Sequence, residues 1–305
     1  MNGFLREENM DRVMKKEPLV TIGLPTYNRA NLLPKCIRSV VNQTYTNWEL
    51  IILDDNSSDD TEQISKCMMK LDSRIKYFKQ ISKSFLPKNR NLICKNSNSD
   101  LIFFIEDDLI LDHECVQHLV NAYCQLLENY KVGAVVPRMF NYFNEKSTDD
   151  QYENNDEVVK ICHFTGLIHN YFNRDTKKII PIPTGHSCSL ISKGAWRNVG
   201  GYEENLYKGT NFREETDFYF RLRNAGYFIF FDPKALTHHY RSNYGGCRLS
   251  NQTKMNYYYA RNHILFILKH YPFQFIFMMP LFIVHLLLRT IDISFKKIKN
   301  EKTVK

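Results

Sequence analysis

Residues 19–25, LVTIGLP, form a short β-branched run closed by Pro25, and after the turn residues TYN the apolar positions change period. Leu32, Leu33, Cys36, Ile37, Val40 and Val41 recur at spacings of three and four, which predicts an amphipathic helix. WELIILDDNSSDDT repeats the theme with an apolar run from Trp48 to Leu53 and a polar loop. A helix is expected to begin near Asp59 or Asp60, with Thr61 and Glu62 in its first turn. RIKYFKQ predicts a third strand, a polar helix follows from about Pro87 to Asn96, and LIFFI predicts a fourth strand. Strands alternating with helices imply an α/β fold with a parallel, doubly wound sheet, in which ligands collect beyond the carboxyl ends of the strands. That places Asp54 and Asp55 on the same rim as Glu106, Asp107 and Asp108.

Beyond residue 112 the pattern is mixed. EVVKICHFTG, KKIIPIP and YFIFFDP predict strands, and helices are expected from about His113 to Asn129 and from Glu215 to Asn224. From Met255 the chain is aromatic and helix-compatible, and Phe273 to Leu288 is almost without charge. That segment is shorter than the roughly 20 residues needed to cross a bilayer, and Pro280 and His285 interrupt it. An interfacial or re-entrant membrane anchor is the expectation, with a buried core helix or a protein-docking face as alternatives.

With 305 residues and 43% apolar content the chain has material for a sizeable core. The formal charge of +8 is unevenly placed: Arg289 to Lys305 holds six Lys/Arg against two acids, a basic tail suited to anionic lipid. No basic stripe interleaved with aromatics appears in the body, so no nucleic-acid partner is expected. The eight cysteines form no CxxC pair and sit mostly in apolar patterns, which argues for reduced thiols and against a zinc site. Residues 1–17 mix acids and bases and read as a mobile lead-in without the apolar segment of a signal peptide.

The stretch LIFFIEDDLIL carries three consecutive acids at the end of a buried strand. A helix N-terminus favours one or two acids by about 0.3–1 kcal/mol each, which does not account for three beside a second acidic pair. A divalent cation carrying a phosphorylated ligand does, since Mg²⁺ takes one or two carboxylates plus substrate phosphates. GxGxxG after the first strand and GxxxxGK[ST] are both lacking, which removes a dinucleotide cofactor and a P-loop. A receiver-like acidic pocket has no use for the aromatic second half. A nucleotide-sugar enzyme remains.

Residues 20–61, from VTIGLPTYNRANLLPKCIRSVV through WELIILDDNSSDDT, resemble the opening of the inverting glycosyltransferases of family 2. The similarity continues through KNRNLICKNSNSDLIFFIEDD and resumes at GGYEE and REETDFYFRLRNAGYFIFFDPKALTHHYR, covering roughly residues 18–248. The resemblance implies a GT-A fold, Rossmann-like, with a mostly parallel central sheet flanked by helices. It divides the chain into a nucleotide-binding half at 18–112 and an acceptor and catalytic half at 113–248. A helical, membrane-associating extension at 249–305 follows.

Carried over position by position, the resemblance sets Pro25, Thr26 and Tyr27 against the nucleotide base and ribose, with Asp55 accepting from the base and Asp54 as a less direct partner. Arg90 would face the pyrophosphate or base. Glu106, Asp107 and Asp108 occupy the DxD position, with Asp107 on the ribose or metal and Asp108 as direct ligand to Mn²⁺ or Mg²⁺. Glu106 replaces the usual Asp. His239, or His238 beside it, would complete the metal shell. In REETDFYFRL, Glu215 stands where a base must deprotonate the acceptor hydroxyl, with Glu214 and Asp217 as alternatives. Helical spacing puts Glu214 and Asp217 on one face and Glu215 on another. TGHSCSLIS and GGYEE would border the sugar and acceptor pocket, and the Gly pair of SNYGGCR beside the histidines reads as either a mobile flap over bound nucleotide or a plain surface loop.

The implied reaction transfers one sugar per encounter from a nucleoside-diphosphate sugar, UDP-linked by preference, to a lipid-linked or cell-surface glycan acceptor. The QxxRW motif of processive polysaccharide synthases is lacking. The expected location is the cytoplasmic face of the cell membrane, in cell-envelope polysaccharide synthesis. A catalytically silent nucleotide-sugar or membrane-binding relative, and a sugar nucleotidyltransferase, are the competing functions.

Overall fold

The computed structural model describes residues 17–143, 146–147, 157–210, 212–241 and 251–288. The lead-in through residue 16, the expected flap at 242–248 and the basic tail at 289–305 lie outside the described residues. The first half forms as its periodicity predicts: β1 (Val20–Thr26), α1 (Leu33–Val41), β2 (Trp48–Asp54), α2 (Thr61–Leu71), β3 (Ile75–Lys79), α3 (Leu86–Asn96) and β4 (Leu101–Phe104). α1 has a proline in its first turn, where no amide partner is needed, and buries Leu33, Cys36, Ile37 and Val40 along one stripe. β1 pairs in parallel with β2 on one side and β4 on the other, so Val20 faces both Trp48 and Leu101. Covered on both faces, β1 and β2 are buried along their whole length, which is why they read as unbroken apolar runs.

The second half contributes β5 (Leu109–Leu111), α4 (Cys115–Leu127), β6 (Val132–Phe143), β7 (Lys146–Ser147), β8 (Val159–Ile161), β9 (Ile168–Asn170), β10 (Ile180–Pro181), β11 (Ser189–Ser192), α5 (Lys193–Asn198), α6 (Glu214–Asn224), β12 (Phe228–Arg241) and α7 (Gln252–His270). Residues 275–288 form a further helix, α8. The main sheet runs β10-β12-β6-β11-β4-β1-β2-β3. It is mixed rather than wholly parallel, because β11 lies antiparallel between β4 and β6, and β10 and β5 lie antiparallel against β12. β6 was not foreseen from the pattern, and β12 extends well past the YFIFFDP run. EVVKICHFTG supplies β8, which pairs with β9 in a separate ribbon.

β12 is the element that assembles the rim. Its register against β6 shifts between Asp232 and Leu236, around Pro233, and the strand then continues to pair His239 with Leu109 of β5. Tyr240 N–H donates to the carbonyl of Asp108 at 2.9 Å. Since β5 begins one residue after the three acids, this register delivers a histidine to the acids across a long sequence separation.

α7 starts at a side-chain cap, Asn251 accepting from the Lys254 amide at 3.0 Å. It packs on the body through Phe266 and Ile267, which join Tyr207, Phe220 and Met278 in a second apolar cluster. α8 inserts Met278 and Phe282, four residues apart, while Phe273, Ile276 and Phe277 before and within it are 87%, 73% and 77% exposed. The 273–288 segment thus docks by one face and leaves the other bare. Among the described residues, no helix is long and apolar enough to cross a membrane.

Candidate active site

A cavity of about 640 Å³ opens at the carboxyl ends of β1 and β4, walled by the start of β5, the end of β12 and the first turn of α6. Glu106, Asp107, Asp108 and His239 all line it. Ligand atoms of Glu106, Asp108 and His239 lie within 4.8 Å of one another. Nε2 of His239 is 3.3 Å from Asp108 Oδ1 and 3.9 Å from Glu106 Oε2, and its Nδ1 meets Asn141 Oδ1 at 3.2 Å. His238, one residue away on the strand, turns to the opposite side and stacks on Phe140 at 5.6 Å, so the fallback ligand is not at the site. Two carboxylates and an imidazole, with no thiolate among them, suit a hard or borderline divalent ion such as Mg²⁺ or Mn²⁺.

The electrostatics are those of acids lacking enough positive charge. Burial, then the charge of Asp108, raises Glu106 above its ordinary range. Burial likewise pushes Asp107 up to about 7, against the opposing charge of Arg29. Asp108 is held low: burial works to raise it, but the His239 hydrogen bond and charge outweigh that. His239 is raised in turn, because Asp108 and Glu106 overcome its own burial. Arg29, from the turn after β1, is 4% exposed and reaches Asp108 at 3.4 Å and Asp107 at 3.8 Å, while its Nε has no hydrogen-bond acceptor. This arginine lies within the resembling segment, yet only the fold shows that it abuts the acids.

Thr26 Oγ1 donates to Asp107 Oδ2 at 2.8 Å, which ties the end of β1 to the acids. Pro25, Thr26, Tyr27 and Asp55 line the cavity. Lys83 Nζ lies 3.5 Å above the Tyr27 ring, and Phe85 joins the same wall. Asp55 accepts from the amides of Ser84 at 2.6 Å and Phe85 at 3.1 Å, so this carboxylate also anchors the loop that brings Lys83 and Phe85 in. Asp54, expected beside it, is fully buried and accepts from Ser57 N–H and the Tyr77 hydroxyl, closing the turn after β2 instead of lining the cavity.

Arg90, expected to face the pyrophosphate or base, does not line the cavity. It is 1% exposed on α3, and its guanidinium ends on Glu214 and, at 2.7 Å, on Glu215. Buried Glu214 and half-buried Glu215 hold it there, since a guanidinium facing two carboxylates is far better compensated than alone.

The three acids of α6 separate by environment. Glu214 is buried against Arg90, one of its oxygens has no partner, and burial raises it to about 8. Asp217 is fully buried away from the cavity, bonded by Tyr207, Arg221, Lys269 and His270. Only Glu215 combines exposure, 30% of its side chain, with a place on the cavity wall and a cation that orients it. Thr184, Gly185 and His186 of the TGHSC segment border the cavity as expected. GGYEE does not: Tyr202 and Glu204 receive hydrogen bonds from Asn91 of α3, and Gly201 packs so close to Asn91 that a Cβ there would lie 2.7 Å from Oδ1. Asn89, Phe212, Arg213 and Tyr259 also line the cavity; Asn89 and Arg213 fall within the resembling segments but had no role carried over to them, and Phe212 and Tyr259 carried no local signal.

The family model described as "Glycosyl transferase family 2" matches residues 21–199. A GalNAc(5)-diNAcBac-PP-undecaprenol beta-1,3-glucosyltransferase of Campylobacter jejuni is 39% identical over 92 residues, 30% of each chain. The match therefore spans less than a third of that relative. Among solved structures, the mannosyltransferase PcManGT of Pyrobaculum calidifontis, in complex with GDP-Man and Mn²⁺, covers 93% of this chain and 77% of its own, with a TM-score of 0.58 at 14% identity. S. aureus TarS 1-349 in complex with UDP-GlcNAc covers 83% and 67%, with a TM-score of 0.58 at 14% identity. These two likenesses concern the fold.

Proposed function

Because the chain belongs to glycosyl transferase family 2, we propose that it is a metal-dependent, inverting glycosyltransferase that moves one sugar from a nucleoside-diphosphate sugar, UDP-linked by preference, to a lipid-linked or cell-surface glycan acceptor. One observation carries this reading. The acid and histidine cluster and the oriented carboxylate of Glu215 face a single cavity of about 640 Å³, within the size range of small-molecule sites. Glu106, Asp108 and His239 would hold Mn²⁺ or Mg²⁺, which when bound supplies positive charge beside the diphosphate.

The remaining work falls to side chains. Tyr27, Lys83 and Phe85 form a wall against which a planar base fits, and Asp55 and Asp107 offer acceptors to base and ribose donors. Arg29, already between Asp107 and Asp108, adds a positive charge to the floor. Glu215, held by Arg90, takes the proton of the acceptor hydroxyl as its oxygen forms the new bond to the anomeric carbon. The bond to the nucleoside diphosphate breaks on the opposite side, so configuration inverts. Arg90 acts through Glu215 and is a positioning residue. The bare face of α8 supports a peripheral location at a membrane, and the need for nucleotide sugars favours the cytoplasmic side.

The test is a panel of UDP-, GDP- and dTDP-sugars with Mn²⁺ or Mg²⁺, scoring nucleoside diphosphate release and melting-temperature shift. At least one donor should stabilise the parent protein and be turned over. Glu215→Gln should keep the stabilisation and lose about 10²- to 10⁴-fold in turnover. Equal turnover by the variant, or no stabilisation by any donor, would refute the reading.

A further inference from the structure

Three arginines are buried among the described residues: Arg29, Arg90 and Arg213. Arg29 faces Asp107 and Asp108, and Arg90 faces Glu214 and Glu215. Arg213, 5% exposed, forms no ion pair with any carboxylate among the described residues. Its Nε and Nη2 donate to Nδ1 of His263 at 3.1 and 2.8 Å, and Nη2 also reaches the Gly166 carbonyl at 3.2 Å. His263 passes its own Nε2–H to the Thr165 carbonyl at 2.7 Å. Burial and the charge of Arg213 hold that imidazole neutral, down at about 3. Burial lowers Arg213 itself to about 10, so it stays a cation at neutral pH. The rings of Phe212 and Phe266 lie beside it, at 4.7 and 5.0 Å. Nε and Nη2 have acceptors, but no carboxylate among the described residues neutralises the charge, and an uncompensated buried ion is costly.

Two further facts locate what would compensate it. Arg213 lines the same cavity as Glu215, two residues along the chain. Its supports are the groups that seat α8: the His263 ring lies 4.2 Å from that of Phe282, and Gly166 packs beside Met278. α8 turns Ile276 and Phe277 outward from this contact. A buried cation, a proton-accepting carboxylate and a bare apolar face are therefore joined through one packed layer. That order matches a molecule whose anionic group stands between a lipid chain and the hydroxyl to be glycosylated.

We propose that Arg213 binds the phosphate or diphosphate of a lipid-linked acceptor, whose lipid chain leaves the cavity along α8. The proposal rests on the glycosyltransferase reading and specifies its acceptor: an anionic amphiphile, not a neutral glycan. Arg213 is a specificity residue for that acceptor and takes no part in the proton transfer.

The full-length protein is tested without divalent ion, in EDTA, for binding of farnesyl diphosphate, farnesol and inorganic pyrophosphate by calorimetry. Farnesyl diphosphate should bind at least about tenfold more tightly than either fragment, since only it supplies both charge and chain. Arg213→Gln should remove the preference over farnesol, and Arg213→Lys should restore part of it, with both variants melting cooperatively. Should Arg213→Gln keep the parent's preference, or should pyrophosphate bind as well as the lipid diphosphate, the proposal is wrong. Nucleotide-dependent stabilisation of the parent with Mn²⁺ is measured in parallel. Its loss would sink the transferase reading, whereas its presence without lipid diphosphate binding would sink only this one.

Discussion

Asp217 is the point at which the end of α7 grips α6, and Asp217→Asn tests what that grip is worth. The carboxylate is fully buried in the first turn of α6. It accepts from Tyr207 at 3.1 Å, His270 at 2.7 Å, Lys269 at 2.8 Å and Arg221 at 2.7 Å. An asparagine keeps the volume, but whichever way the amide turns, its NH₂ faces a donor, and the two cations lose their counter-charge. Removing one partner of a buried ion pair typically costs about 3–5 kcal/mol, and the low end applies because Lys269 is 32% exposed and partly screened. About 3 kcal/mol in a chain of this size lowers the melting temperature by roughly 5 °C.

The pH dependence carries the sign. The Lys269 and His270 hydrogen bonds and Arg221 depress Asp217 despite its burial, so its folded value lies below the roughly 3.9 of the unfolded chain. Its stabilisation is complete above about pH 5 and is lost as pH falls through 4 toward the folded value. The gap between parent and variant should therefore be constant from pH 7 to 5 and narrow by roughly 1 kcal/mol at pH 3. Thermal melts by circular dichroism at pH 7, 5 and 3 measure it. A variant melting within about 1 °C of the parent at pH 7, or a gap that widens in acid, would show that the network is ornamental to the fold.

Two other expectations concern the metal and the membrane. Asp108→Asn should weaken Mn²⁺ binding by more than about 100-fold, beyond the usual loss from an outer supporting partner, as read by Mn²⁺ electron paramagnetic resonance; unchanged affinity would remove Asp108 from the ligand set. Replacing the exposed Ile276 and Phe277 by Asp should abolish flotation of the protein with anionic lipid vesicles, leaving the melt within about 2 °C of the parent. Flotation that persists would place membrane contact elsewhere.

Local order was legible wherever one period dominated. The β1–α1–β2–α2–β3–α3–β4 succession follows from apolar runs buried on both faces and from a stripe such as Leu33, Cys36, Ile37 and Val40, which bury because nothing else can cover them. The clustering of Glu106, Asp107 and Asp108 announced a site for positive charge for the same elementary reason, that three adjacent acids repel. Chain direction in the sheet was not legible: SLIS, only four residues long, carries no information on whether β11 runs with or against β4 and β6. Nor were the partners of single charges. Arg90 and Arg213 look alike in a sequence, yet one is neutralised by two acids from α6, the other is left among neutral groups, and Arg29 meets acids from the end of β4. Those differences arise because packing, not sequence neighbourhood, sets which charges share a low-dielectric space, and only tertiary structure decides that.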